Sequence, residues 1–222
     1  CYGRTRGTRH HDHQGPPGYD RLVAMTHRPD RTAPPTQRVA PGLRLQIAAE
    51  LFDTMPEMAQ DIRTVARVGE ACLDYARRLR LGDTPEEAIT AMAYALSPRH
   101  GVWWGHECLK AMPDLMTPQD QDMLALCAAW VAEPDENHRY ACMNAAAAAS
   151  PRGPGAWLAM ATGWVAGSMA PEDLPKVPPP LFVFGRALNA AILTALARVP
   201  QDKRRRMLDH YVNMAEVLAK SA

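Results

Sequence analysis

Phenylalanine occurs only three times in this chain and aromatics make up 6% of it, against 37 alanines in 222 residues. That scarcity excludes an all-β fold, because alanine is the best helix former and the residues that favour strands are few. Closely spaced cysteine pairs are missing too. The five cysteines stand at positions 1, 72, 108, 127 and 142, a spacing that supports neither a disulfide framework nor a zinc knuckle, so a reducing compartment is expected. Long apolar runs are absent as well: the longest uncharged stretch, residues 153–170, is interrupted by Pro154 and four glycines. It falls short of the roughly 18 apolar residues that a membrane helix needs. Finally, neither sign of charge dominates. With 25 Lys and Arg against 24 Asp and Glu, the formal net charge is +1, which gives no bulk steering toward nucleic acid or an anionic membrane. The expectation is a soluble, cytoplasmic protein with neither as a partner.

Residues 1–42 hold seven Arg, three Asp, four His and six of the 20 Pro, with almost no apolar periodicity. Such a segment buries too little surface to offset the entropy of ordering. A disordered tail over 1–42 and a single helical domain over 43–222 are therefore expected. The chain opens on Cys1 and its first methionine is Met25, the expected native start. The cluster His10, His11, Asp12 and His13 has metal-binding side chains but no scaffold to fix their geometry, so no metal site and no cofactor are expected. The tail also lacks the apolar region of a signal peptide.

From Leu43 onward the pattern is helical, with clear punctuation. Thr84, Pro85, Glu86 and Glu87 read as a capping box with Pro at the first helical position, and Ser97-Pro98 and Thr117-Pro118 repeat the Ser/Thr-Pro start. Helices are predicted over 43–52, 57–80 (with a break), 85–96, 98–112, 118–133, 135–149, 155–167, 182–199 and 201–220. Short connections favour antiparallel neighbours, hence a compact, irregular all-α bundle of about nine short helices arranged as helical hairpins. The long irregular piece is residues 171–180, PEDLPKVPPP, whose five prolines impose an extended path; the plainer expectation is a rigid crossover packed on its own domain, the other a ligand for an aromatic groove.

Chemistry concentrates in residues 99–112, RHGVWWGHECLKAM. At 3.6 residues per turn His100, Trp104 and Cys108 share one face, while His106 sits about 120° around from His100, so the two histidines cannot share a metal on this helix alone. His100 and Cys108 are about two turns, roughly 12 Å, apart, too far for a nucleophile and its base. An enzyme site at His100, His106, Glu107 and Cys108 therefore needs a group from another helix. The plainer expectation puts Trp104 and Cys108 in the core and the histidines and Glu107 at the surface. Cys72, Cys127 and Cys142 sit among apolar neighbours and read as core, as do Trp157 and Trp164 on one helical stripe. The adjacent Trp103 and Trp104 point about 100° apart, which predicts a central helix packed on at least two faces.

Two features fit no core. Lys203, Arg204, Arg205 and Arg206 lie in the first turns of a helix, where positive charge opposes the macrodipole. Residues 171–180 are preset in extended form and lose little entropy on binding. These arginines and Lys203, with Pro178, Pro179 and Pro180, are the expected contacts for an acidic protein partner, and reversing the arginine charges is expected to leave the fold intact.

The stretches ALSPRHGVWWGHECLKAM, AAWVAEPDENHRYACMNAAAAA and GAWLAMATGWVAGSMAPEDLPKVPPP resemble, in that order, an uncharacterised bacterial all-helical family marked by a paired Trp and a Val-Pro-Pro-Pro element, over most of residues 50–200. The family supplies no catalytic residues. Where it shows a small residue and Cys after the Trp pair, this chain has Gly105, His106, Glu107 and then Cys108, so no shared role carries to His106 or Glu107. The resemblance implies relatives among type VI secretion genes and a non-enzymatic accessory or adaptor protein.

Overall fold

A computed structural model of the protein describes residues 40–221. The expected tail before Ala40, with Met25 and His10, His11, Asp12 and His13, lies outside the described residues. Packing begins slightly before the expected boundary at residue 43. Ala40 is buried, and the Gly42 amide donates to the Ala219 carbonyl at 2.9 Å while the Gly42 carbonyl accepts from Ser97 at 2.8 Å.

The described residues form an all-α fold of nine α-helices: α1 (Ala48–Thr54), α2 (Cys72–Arg80), α3 (Glu86–Ala95), α4 (Pro98–Lys110), α5 (Pro118–Ala132), α6 (Glu136–Ala148), α7 (Pro154–Gly163), α8 (Leu181–Leu196) and α9 (Gln201–Lys220). The pairs α2 and α3, α4 and α5, α5 and α6, α6 and α7, and α7 and α8 pack on each other as consecutive hairpins. Among the described residues β pairing is confined to two isolated antiparallel bridges, Leu43 with Leu96 and Ile47 with Ala71.

Two local expectations are corrected, and the break expected in a third is located. The helix predicted over 43–52 begins only at Ala48, because residues 40–47 send their backbone hydrogen bonds to other elements: Arg44 N–H reaches Ala95 O, and Gln46 O accepts from Cys72. The segment 57–80 divides into a short 3-10 turn (Pro56–Gln60), an irregular stretch and α2. The cause also removes the capping box at Thr84. The Glu87 carboxylate does not reach back to the start of α3; it accepts the amides of Arg63 at 2.8 Å and Thr64 at 3.3 Å instead, holding residues 63 and 64 out of a helix. The box does form at Thr117, whose Oγ1 accepts from the Asp120 amide while Asp120 Oδ2 accepts from the Thr117 amide.

Helix α4 packs against α5, α7, α8 and α9, so it is central, as the Trp pair predicts. Trp104 is fully buried, its indole Nε1–H donating to Tyr211 O of α9 at 2.9 Å. Trp103 is only partly buried. Close approach of α7 and α8 to α4 requires Gly105: a Cβ there would lie 2.6 Å from Leu158 Cδ1 and 2.7 Å from Leu188 Cδ1, inside van der Waals contact. Trp157 and Trp164 pack partly buried against the core, and Cys72, Cys108, Cys127 and Cys142 are buried free thiols.

Candidate functional site

The residues of α4 that carry chemistry do not converge. Ser97 Oγ, expected to cap the helix, instead pairs with His100 Nδ1 at 2.8 Å. His106, more buried than expected at 8% exposure, stacks on Trp103 with centroids 5.0 Å apart and planes 9° from parallel. Its Nδ1 meets Glu107 Oε1 at 2.9 Å. Cys108 lies in the core, where burial and then the Glu107 charge push its thiol well up from the ordinary value. A thiol held protonated is not a nucleophile. Among the described residues no hydrogen bond joins Cys108 Sγ to either histidine. Only His106 and Glu107, neighbours in sequence, are brought together as an ordered imidazole–carboxylate pair.

The basic run divides by role. Arg204 folds back on the end of α8, where its Nε donates to Leu196 O at 3.1 Å and its Nη2 to Ala197 O at 3.2 Å and Val199 O at 3.1 Å. A helix C-terminus leaves its last carbonyls without partners and carries partial negative charge; the guanidinium answers both. Arg205 does the same for α2, donating to Arg80 O at 2.6 Å. The position that opposes the dipole of α9 therefore complements those of α8 and α2, and these contacts argue against the expectation that the three arginine charges can be reversed without cost to the fold. Lys203 and Arg206 are exposed and make no ion pair among the described residues.

Residues 171–180, expected to pack on the domain as a crossover, stand outside its body instead. All but Pro179 are exposed, with Leu174 at 52% and Val177 at 51%, and Leu181 follows at 59%. The base of this loop is tied. Buried Ser168 accepts through Oγ from the amides of Ala170 at 3.1 Å and Val177 at 3.0 Å, and Met169 N–H reaches Val177 O at 2.8 Å. Gly167 turns the chain at φ +68°, where a Cβ would meet Glu136 at 3.0 Å; both the left-handed backbone and that wall favour glycine.

Beneath the loop lies a residue that the sequence did not reveal. Arg139 of α6 is fully buried; it grips the Glu136 carboxylate through Nε at 2.9 Å and Nη2 at 2.8 Å, while Nη1 donates to Gly163 O at 2.5 Å and Ser168 O at 3.0 Å. One side chain thus caps α7 and fixes the loop base. Asp120 plays the matching part at the other end of α7. Its Oδ1 accepts from the Gly155 amide at 2.8 Å, placing a carboxylate at the positive end of that helix. The signal in the sequence was an i, i+3 Glu-Arg pair for the first and a capping box for the second; neither tells of partners more than twenty residues away.

At the start of α6, Glu133, Asp135 and His138 hold ligand atoms within 4.8 Å of one another, a group whose donor types suit a divalent cation. Asp135 Oδ1 already caps the His138 amide at 2.8 Å and meets His138 Nδ1 at 2.9 Å. No helix among the described residues is long and apolar enough to cross a membrane.

The model of a family described as "Family of unknown function (DUF6931)" matches residues 75–219. No curated protein and no solved structure matches the chain.

Proposed function

The chain belongs to that family of unknown function, and from this premise we propose that it is a non-enzymatic, cytoplasmic helical interaction module, an accessory or adaptor of bacterial type VI secretion that meets a protein partner through the loop 171–180. One observation carries the reading. The fold uses a buried arginine, a buried serine and a left-handed glycine to hold out ten residues that bury almost nothing themselves. A fastened loop with aliphatic tips has already lost the entropy that a floppy one loses on binding. Pro178, Pro179 and Pro180 keep its second half extended, a form that grooves lined with aromatics accept. Lys203 and Arg206, not needed to close a helix, remain free to meet acidic groups. The link to secretion rests on the sequence resemblance.

Affinity purification of the full chain from its bacterial host, beside a Leu174→Asp, Val177→Asp variant, tests this. A secretion component or its effector is expected with the native chain and at least tenfold less of it with the variant. Recovery of no such protein, or equal recovery with both, removes the proposal.

An enzyme reading around Cys108, His100, His106 and Glu107 keeps one supporting observation, the His106–Glu107 pair with its stacked Trp103. It lacks a nucleophile within reach.

A further inference from the structure

Residues 61–71 form a second projecting segment, and its construction differs from that of the loop 171–180. Nearly every backbone group that could let it collapse is engaged from below. The Glu87 carboxylate takes the amides of Arg63 and Thr64, the Tyr75 hydroxyl donates to Thr64 O, and Arg78 Nη2 donates to Val65 O at 3.0 Å. Farther along, Glu70 Oε2 accepts from the Arg67 amide at 2.9 Å while Arg78 clamps that carboxylate at 2.7 Å. At its start, Asp61 is held by Arg186 Nε at 2.9 Å. The result is a rigid mount whose contents point away from the protein: Val65 is 79% exposed and Val68 fully exposed, with the exposed Arg63 and Arg67 beside them.

Two aliphatic side chains held in water at this cost in order have no folding role, since the burial that stabilises a fold is what they lack. The charge is one-sided. Asp61, Glu70 and Glu87 are consumed by Arg186, Arg78 and backbone amides, whereas the Arg63 and Arg67 guanidinium groups enter no ion pair or side-chain hydrogen bond among the described residues. Arg67 reaches only far enough to help Arg78 draw the Glu70 carboxyl down from its ordinary value. The anchors Tyr75, Arg78, Glu87 and Arg186 lie within the residues that the family model matches, and the displayed residues lie outside them.

The geometry points to a second docking surface, in which Val65, Val68, Arg63 and Arg67 receive an acidic protein segment carrying an aliphatic anchor. Charge complementarity selects the partner: a carboxylate-bearing segment pairs with two guanidinium groups that no described residue satisfies, for which Arg has the fitting fork geometry, while the valines bury against its aliphatic side chain. The assignment rests on other residues than those of the loop 171–180 and stands or falls independently of it.

Selection from a random peptide display library on the full chain, counter-selected on a Val65→Ser, Val68→Ser, Arg63→Glu, Arg67→Glu variant, tests the assignment. None of these side chains anchors the segment, so the variant should melt with the native protein. Peptides that combine Asp or Glu with Leu, Ile or Val are expected, binding the variant at least tenfold more weakly and losing affinity as salt rises from 50 to 500 mM, the range over which surface charges become screened. No peptide that depends on the four residues, or a selected set that is basic or neutral, overturns it. So does binding that depends on the four residues to phosphatidylserine vesicles but to no peptide, which reassigns the surface to an anionic lipid.

Discussion

Arg204 shows how a residue read from its own helix is misread. Within α9 it is a cation at the wrong end, but in three dimensions it terminates α8. Arg204→Glu is therefore expected to destabilise the domain by about 1–3 kcal/mol, since three carbonyls lose the guanidinium and gain a negative neighbour, whereas Arg206→Glu should stay within about 0.5 kcal/mol. Urea unfolding of the two variants separates these outcomes, and equal stabilities would remove the capping role. Trp104 is the opposite case, legible in the sequence and realised in the fold. Its replacement by Ala deletes a fully buried indole and removes its hydrogen bond to Tyr211 O, and should cost about 3–5 kcal/mol, enough to unfold a marginal domain at moderate temperature.

Elements here are joined by charged groups reaching across, and that sets an acid sensitivity. Hydrogen bonds from Arg139 hold the Glu136 carboxyl below the usual glutamate range, and those from Arg78 do the same for Glu70. A carboxyl lowered by folding contributes stability that is complete above its unfolded value and is lost as pH falls through the folded one. Amide hydrogen exchange should therefore show the two projecting segments, 61–71 and 168–180, opening below the ordinary glutamate range while α4 and α8 stay protected. Loss of protection in all elements at one pH would contradict this. Arg139→Ala should open 168–180 at neutral pH and leave 61–71 closed. What the sequence disclosed at this scale follows the same division between near and far. Helices that start at Thr117-Pro118 and Ser97-Pro98, or run their apolar stripe for many turns as α8 and α9 do, were legible because their signals are complete within a few residues. The break allowed for in the helix over 57–80 is wider than the pattern tells, because the middle of that segment is captured by Glu87, more than twenty residues away. The loop 171–180 was visible as a run of proline, but Arg139 and Ser168, which make it a display rather than a slack connection, became meaningful only once α6 and α7 were side by side.

For the molecule as a whole, the core thiols report on integrity. Burial, followed by the charge of Glu50, pushes Cys72 up to about 12, and burial raises Cys108 and Cys127 well above their ordinary value. The thiolate is the reactive form and Cys142 is fully buried, so all four core cysteines should resist an alkylating reagent in the native protein and react together in urea; fast native labelling of any of them, read by mass spectrometry of tryptic peptides, would place an opening at that position. The contact of Gly42 with Ala219 has a different kind of consequence. A ribosome delivers the chain from its amino end, and the place where Gly42 lodges, between the last turn of α9 and the junction of α3 with α4, lacks one wall until α9 has emerged. One edge of the first ordered segment thus waits for the last helix, and that seam closes only after the rest of the domain has been made.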